Sequence, residues 1–350
     1  MKVAILTPTF SKFSGPDRVV LNEARELAAA GKEVTIFAFK TDFDQHQPQK
    51  GIKVEIIGSP RNQMLERIYR LLFFLDVPKV MQIVDKLSGF DEAISFLYPM
   101  TLPTMIAKKR MQQRLNYVYY DVGVAYPQLF DSLLERAYMK VFAAFTRITV
   151  KNADAAFSIS KFLSSELKKE TGLESTVKYV NIDTKRFNRR TAAKHKKGSA
   201  AIAKKHGLKK PVLLYVGRLS PHKGVHLLLE AFRLIRQKIP AATLVVVGKH
   251  TFQKYSEQLQ ETASVIGGVA FAGFVPDEEL PAYYGACDAY VTCSMWEGFD
   301  IPIVEANAVG KPAVAFDVGS HREVLKKGIL VKAGDVNEFA ASVFKVLKKR

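Results

Sequence analysis

The sequence predicts two doubly wound α/β domains, each a parallel sheet with helices on both faces, and three observations carry the prediction. Its 350 residues are too many for one ordinary domain and enough for two. Short runs rich in Val, Ile, Phe and Tyr alternate with segments of helical period along the chain. The alternation breaks near residues 184–200, where Arg189-Arg190 and Lys194-His195-Lys196-Lys197-Gly198-Ser199 interrupt it. A boundary at 188/189 separates an N-terminal domain, residues 1–188, from a C-terminal one, residues 189–350. Alternating strand and helix is the pattern of parallel sheets buried on both faces.

Taken in order, the first half offers strands at Val3–Thr7, Val34–Phe39, Val54–Ile57, Ala93–Leu97, Tyr117–Tyr120, Ala155–Ile159 and Val177–Val180. Its clearest helix runs from Asp17 to Ala30, with Val20, Leu21, Ala24, Leu27 and Ala28 at helical spacing and Gly31 placed to end it. A second apolar stripe, Met64, Leu65, Ile68, Leu71, Leu72 and Leu75, lies beside Arg61, Arg67 and Arg70. It reads first as a core helix, with an interfacial helix on anionic lipid as the alternative. The second half offers strands at Val212–Val216, Leu244–Val247, Val269–Phe271, Ala289–Cys293 and Ala313–Phe316. No short-period repeat is present.

Composition narrows the class. Hydrophobic residues at 48% and charged residues at 25% describe a soluble globular chain. The densest apolar stretch, Leu71–Leu75, is far below the roughly 18 residues of a membrane span. The start, Met1-Lys2-Val3-Ala4-Ile5-Leu6, enters a strand at once and lacks the form of a secretory signal. The expectation is a cytoplasmic protein, with the inner face of the cell membrane as a further station. Cys287 and Cys293 are too few for a disulfide framework and read as packing residues. The net charge of +18 is uneven: residues 1–190 hold 29 bases against 20 acids, residues 191–210 seven bases and no acid, and residues 211–350 16 against 14. Such a field attracts phosphorylated ligands, anionic lipid or nucleic acid without choosing among them.

Two constellations carry chemistry. Gly217-Arg218-Leu219-Ser220-Pro221-His222-Lys223-Gly224 follows a buried strand and precedes a helix with Leu227, Leu228, Ala231, Leu234 and Ile235 on one face. Glycine turns the chain off the strand, the helix offers unpaired N–H groups, and Arg218 and Lys223 bring two cations: together, a diphosphate site. Glu297-Gly298-Phe299-Asp300-Ile301-Pro302-Ile303-Val304-Glu305 follows strand Ala289–Cys293. Pro302 suits the first position of a helix over Ile303–Val309, with Glu305 in its first turn and Gly310 beyond its end. Glu297 and Glu305 are acceptors for the hydroxyls of ribose and sugar. Cations for phosphates beside carboxylates for hydroxyls is what a nucleotide-sugar requires.

Val216-Gly217-Arg218-Leu219 with Lys223-Gly224, and Ser294 through Glu305 into Ala306-Asn307-Ala308-Val309-Gly310-Lys311-Pro312, resemble glycosyltransferase family 4. Asn152-Ala153-Asp154 with the strand after it and Ser160, Tyr179-Val180-Asn181-Ile182-Asp183 through Phe187, and Ala272-Gly273-Phe274-Val275 extend the resemblance over nearly the whole chain. The family implies the GT-B fold, two Rossmann-like domains facing across a cleft, with the acceptor on the first and the donor on the second. It implies retaining transfer of a hexose, of mannose or glucose type, from a GDP- or UDP-sugar to a glycan, a lipid-linked acceptor or a small molecule, with no metal and no other cofactor. By the same resemblance Arg218 and Lys223 hold the diphosphate, and Glu305 binds ribose. Glu297 and the backbone of Phe299 to Ile301 meet the donor sugar, and Val275 lies beside the base.

The departures from the family also count. Asp300 stands where the family has glycine, which adds a carboxylate near the sugar. Gly15 is followed by Pro16, so the N-terminal diphosphate loop loses one N–H. Tyr120-Asp121 stands where many members have a histidine near the transferred sugar, which carries a catalytic role to Asp121 by position. The chain stops at Lys348-Lys349-Arg350, soon after a helix starting near Val336, so the family's crossover helix is expected to be short or absent. Asp42-Phe43-Asp44 matches an Asp-x-Asp metal motif but sits in a polar loop, and His222 and His250 read first as solvated loop histidines. A nucleotide-sugar 2-epimerase shares the architecture but not the glycoside product. A nucleic-acid binder finds support in charge alone, without a binding motif.

Overall fold

The computed structural model describes residues 1–11, 15–41, 51–130, 132–249 and 252–348, apart from the side chains of residues 63 and 192–194. The chain forms two compact units, residues 1–127 with 132–181, and residues 182–350 with 128–131. The second begins at Ile182, ahead of the break that the charge run marks. Asp42, Asp44, His250, Lys349 and Arg350 lie outside the described residues.

Unit 1 runs β1 (Lys2–Phe10), α1 (Gly15–Ala29), β2 (Glu33–Thr41), β3 (Ile52–Ile56), α2 (Gln63–Leu71), α3 (Val77–Leu87), β4 (Glu92–Ser95), α4 (Thr101–Met111), β5 (Asn116–Asp121), α5 (Leu133–Val150), β6 (Ala155–Ser158), α6 (Lys161–Thr171) and β7 (Thr176–Val177). The strands are parallel in the order β3-β2-β1-β4-β5-β6-β7. The order reverses between β1 and β4, which opens a crevice at their carboxyl ends. β1 is buried along nearly its whole length, which explains its unbroken apolar run. The strand expected over Val177–Val180 shrinks to two residues at the sheet edge. The stripe on α2 is a larger correction. Met64, Leu65 and Ile68 are exposed, and it is Tyr69 and Phe73 that pack inward against Phe39.

Unit 2 runs α7 (Arg189–Lys194), α8 (Lys196–Lys205), β8 (Val212–Val216), α9 (Val225–Lys238), β9 (Thr243–Val247), α10 (Gln253–Ile266), β10 (Val269–Gly273), α11 (Leu280–Ala286), β11 (Ala289–Thr292), α12 (Ile301–Ala308), β12 (Ala313–Phe316), α13 (His321–Val324), β13 (Gly328–Val331) and α14 (Val336–Lys348). Its strands are parallel in the order β10-β9-β8-β11-β12-β13. Alternate residues of β8 feed opposite cores. Leu213 and Tyr215 join the α9 and α14 side, while Val212 and Leu214 join the side of α8, α11 and α12. Cys293 and Cys287 are buried packing residues in these two cores and form no disulfide with each other. β13 lies at the sheet edge, and its three apolar residues behind Lys326-Lys327 gave too short a run to read.

Candidate active site

The sheet of unit 2 reverses between β8 and β11, where Leu213 pairs with Ala289 and Leu214 with Tyr290. The segments leaving the carboxyl ends of these strands hold the two motifs that the sequence singled out, 217–224 and 297–305. They are locked together by backbone. Met295 N–H donates to the His222 carbonyl at 2.8 Å. Gly224, at φ +61°, passes so close that an added Cβ would stand 2.0 Å from the Cys293 carbonyl oxygen. Any side chain there would force the two loops apart.

The structure brings Lys223 and Glu297 into one ion pair. Lys223 Nζ lies 2.5 Å from Glu297 Oε1, with 19% and 7% of the two side chains exposed. Arg218 is exposed on the same loop, its carbonyl held by the Tyr215 hydroxyl at 3.1 Å. A short 3-10 turn, Pro221–Lys223, stands between the glycine turn and α9, so Lys223 belongs to that turn and not to the long helix. His222 corrects the expectation of a solvated histidine. It is 9% exposed, beside the Phe130 ring at 5.8 Å. Burial, then the charges of Lys223 and Arg218, push its pKa down to about 3, so it is a neutral group.

α12 begins two residues earlier than the proline suggested. Asp300 is its N-cap, with Oδ1 accepting from Ile303 N–H at 3.2 Å, and Ile301 and Pro302 fill the first two positions. Glu305 therefore lies past the first turn. It is fully buried, and the Tyr284 hydroxyl of α11 donates to its Oε2 at 2.8 Å. Phe299 is half-buried against the core, and Asp300 and Ile301 are buried. Val275 is a core residue at the end of the turn after β10, next to Phe274, which is exposed.

Asp300 does not stand as an open carboxylate. It is 3% exposed, and its Oδ2 lies 3.2 Å from Nε2 of His321, which is fully buried on α13. His321 Nδ1 lies 2.5 Å from the Phe316 carbonyl. Both neighbours are acceptors, so a ring that makes both bonds carries two protons. Burial opposes that charge, but the bond to Asp300 and the charges of Asp300 and Glu297 outweigh it and hold the pKa above the ordinary histidine value. Ligand atoms of Glu297, Asp300 and His321 fall within 4.8 Å of one another, close enough to consider a cation. Lys223 already pairs with Glu297 and His321 with Asp300. Gly319, at φ +51°, lets the next turn come close: an added Cβ would stand 2.1 Å from the Glu297 carbonyl oxygen, to which Ser320 N–H donates at 3.1 Å. Sequence reading missed His321 and Tyr284, whose partners lie 21 residues away along the chain in both cases.

In unit 1, Asp121 ends β5 and is 6% exposed. Its Oδ1 accepts from Gly123 N–H at 2.9 Å and from the Tyr119 hydroxyl at 3.3 Å, and Ser158 Oγ lies 3.5 Å from Oδ2. Burial pushes its pKa up to about 7 against the pull of these bonds. Gly15 opens α1 and is exposed. Two residues on, Asp17 is buried and accepts from Ser11 N–H at 2.9 Å and Ser11 Oγ at 2.7 Å.

The profile of the family described as Glycosyltransferase Family 4 matches residues 13–186, and that of Glycosyl transferases group 1 matches residues 199–350. This chain is a family 4-type glycosyltransferase. It is 33% identical over 141 residues to O-antigen chain mannosyltransferase B of Escherichia coli, covering 39% of this chain and 36% of that one. It is 29% identical over 210 residues to a GDP-mannose-dependent α-(1-6)-phosphatidylinositol monomannoside mannosyltransferase of Mycobacterium tuberculosis, covering 56% and 53%. The matched stretches thus amount to about a third and a half of these relatives' own lengths. Among solved structures, Anabaena HepE in complex with UDP and glucose aligns with a TM-score of 0.79 at 21% identity, over 99% of this chain and 90% of that one. WaaG, a glycosyltransferase of lipopolysaccharide biosynthesis, aligns at 0.76 and 19% over the same shares. The fold of this glycosyltransferase is of the GT-B type, with both sheets parallel and doubly wound.

Proposed function

We propose that the protein transfers a hexose, of mannose or glucose type, from a GDP- or UDP-sugar to a glycan, lipid-linked or small-molecule acceptor, with retention at the anomeric carbon. The observation that carries this reading is the Lys223–Glu297 pair at the switch point of unit 2, where a cation for phosphate and an acceptor for sugar hydroxyls meet. Mannosyltransferase relatives and the UDP-bound Anabaena structure support the donor class. Arg218 and Lys223 hold the diphosphate. Glu305, aimed by Tyr284, accepts from the ribose hydroxyls. Glu297 and the 299–301 backbone take the sugar, and the turn at Val275 lies by the base. Asp300 shapes this pocket from behind, through His321 and the α12 N-terminus.

The bond from the anomeric carbon to the diphosphate oxygen breaks with its electron pair on that oxygen, and a bond from the acceptor oxygen to the same carbon forms. Arg218 and Lys223 stabilise the charge gathering on the leaving group, a contribution of roughly 3–4 kcal/mol per donor in such sites. The acceptor's proton passes to the leaving phosphate, or to Asp121 on the acceptor unit, whose carboxyl titrates near neutrality. These protein cations replace a metal at the diphosphate. Incubation with a panel of GDP- and UDP-hexoses, followed by NMR of the anomeric proton of the product, tests the reading. A glycoside of donor configuration is expected. Release of a free 2-epimeric sugar, or no turnover of any donor, would overturn it.

A further inference from the structure

Two helices of unit 1 turn apolar stripes outward. On α2 and the turn after it, Leu65, Ile68, Leu72 and Leu75 recur at helical spacing and are 42–64% exposed. On α5 the stripe is Leu134, Ala137, Val141, Ala144 and Ile148, all exposed, with Leu134 at 83%. The helices are neighbours. Arg67 bonds Glu135 at 3.3 Å and covers the Tyr138 ring at 5.2 Å, and Phe74 stacks on Phe145 at 5.1 Å. Their inner faces are anchored, as in the stack of Tyr98 on Phe145 at 4.9 Å. The outward stripes are therefore built on a fixed platform of two touching helices, each with an exposed apolar side.

Charge says what covers this face. Helical geometry puts Arg136, Lys140, Arg147 and Lys151 along one flank of the α5 stripe, with Arg147 paired to Glu170 of α6 at 2.5 Å. The single acid of α5, Glu135, is bonded to Arg67. The single acid of α2, Glu66, is buried between Lys40 and Arg70 and faces away from the stripe. The face is thus apolar with a basic border. A second copy would set one basic border against another on chains of +18 each. Anionic lipid meets both features at once, hydrocarbon for the stripe and headgroups for the bases.

We infer that the α2–α5 face docks the protein on an anionic bilayer, lying in the interface without spanning it. Among the described residues no helix is long and apolar enough to cross a membrane. Two bases of the neighbouring α4 have acidic partners of their own: Lys108 pairs with Asp154 at 2.7 Å and Arg110 with Asp85 at 2.7 Å. The inference stands apart from the donor chemistry, because docking is measured without a nucleotide-sugar.

The test is co-sedimentation of the full chain with phosphatidylcholine vesicles, with and without phosphatidylglycerol. Wild type should bind the anionic vesicles more tightly and keep part of that binding at high salt. Leu134→Glu/Val141→Glu and Leu65→Glu/Ile68→Glu should each cut partitioning at least about tenfold, since each removes two inserting side chains. Their melting temperatures should stay near wild type, because the substituted positions are exposed. Lys108→Gln/Arg110→Gln should change binding by less than about twofold. Absence of wild-type binding, unchanged binding in both stripe variants, or a tenfold loss on changing α4 would each overturn the assignment. So would a wild-type dimer that the stripe variants split while vesicle binding persists, which would give the face to a second copy.

Discussion

The two sheets end in buried carboxyl groups that are handled in opposite ways. At the carboxyl ends of unit 2, Glu297 has the Lys223 ammonium at 2.5 Å and Asp300 has His321 at 3.2 Å. At the carboxyl end of β5 in unit 1, Asp121 has an amide and two hydroxyls beside it. Both arrangements satisfy hydrogen bonds, but only the first supplies countercharge. A buried carboxyl beside a cation is fit to bind, whereas Asp121, beside neutral donors and pushed up to about 7 by burial, is fit to move a proton. One topology thus supports a binding corner and a titrating corner, and the difference lies in which residue types stand beside the carboxyl.

The largest effect should come from removing the countercharge. Lys223→Ala should lower kcat on the order of 10²–10³-fold, because it removes a cation from the leaving diphosphate. A loss confined to KM would move Lys223 out of the reacting centre. The next largest concerns Asp121. Its pKa rises from 3.8 to about 7 on folding, so between these values the folded chain holds a proton that the unfolded chain has released. The corresponding stabilisation is present below about pH 4 and is lost as the pH climbs to 7, a span on the order of 4 kcal/mol. Asp121→Asn should flatten the fall in denaturant-measured stability of unit 1 across this window. An unchanged slope would show that the carboxyl is ionised in the folded chain.

Smaller again is Glu305→Ala, which should weaken donor and free nucleoside diphosphate alike, about tenfold, with little change in kcat. A large kcat loss at unchanged nucleotide affinity would reassign it. The smallest expected effect is that of EDTA, which should leave transfer intact. Loss of activity restored by a divalent ion would direct attention to the Glu297, Asp300 and His321 group and to Asp42 and Asp44.

The strands of both sheets, β13 apart, were legible because a strand buried on both faces reads as an unbroken apolar run, as in β8 and β9. The motif loops were legible because glycine, cation and helix start are consecutive in sequence. What escaped depends on the third dimension. The stripe of α2 announces a helix with an apolar side but not what lies against it, and the structure turns that side outward. His321 reaches Asp300 only once β12 lies beside β11, a pairing invisible in local pattern. The start of α12 was within reach: aspartate is among the preferred N-caps, and Asp300 outweighs the proline signal two residues later.

The contrast between the two corners is tested most directly by titrating GDP and UDP, by calorimetry, into wild type, Lys223→Ala and Asp121→Asn. The account predicts that Lys223→Ala weakens nucleotide binding by at least about tenfold, the loss of one charge-assisted contact. Asp121→Asn should bind as wild type does while its transfer rate falls. Equal nucleotide affinity in wild type and Lys223→Ala, or a loss in Asp121→Asn as large as in Lys223→Ala, would contradict the division of labour between the two units.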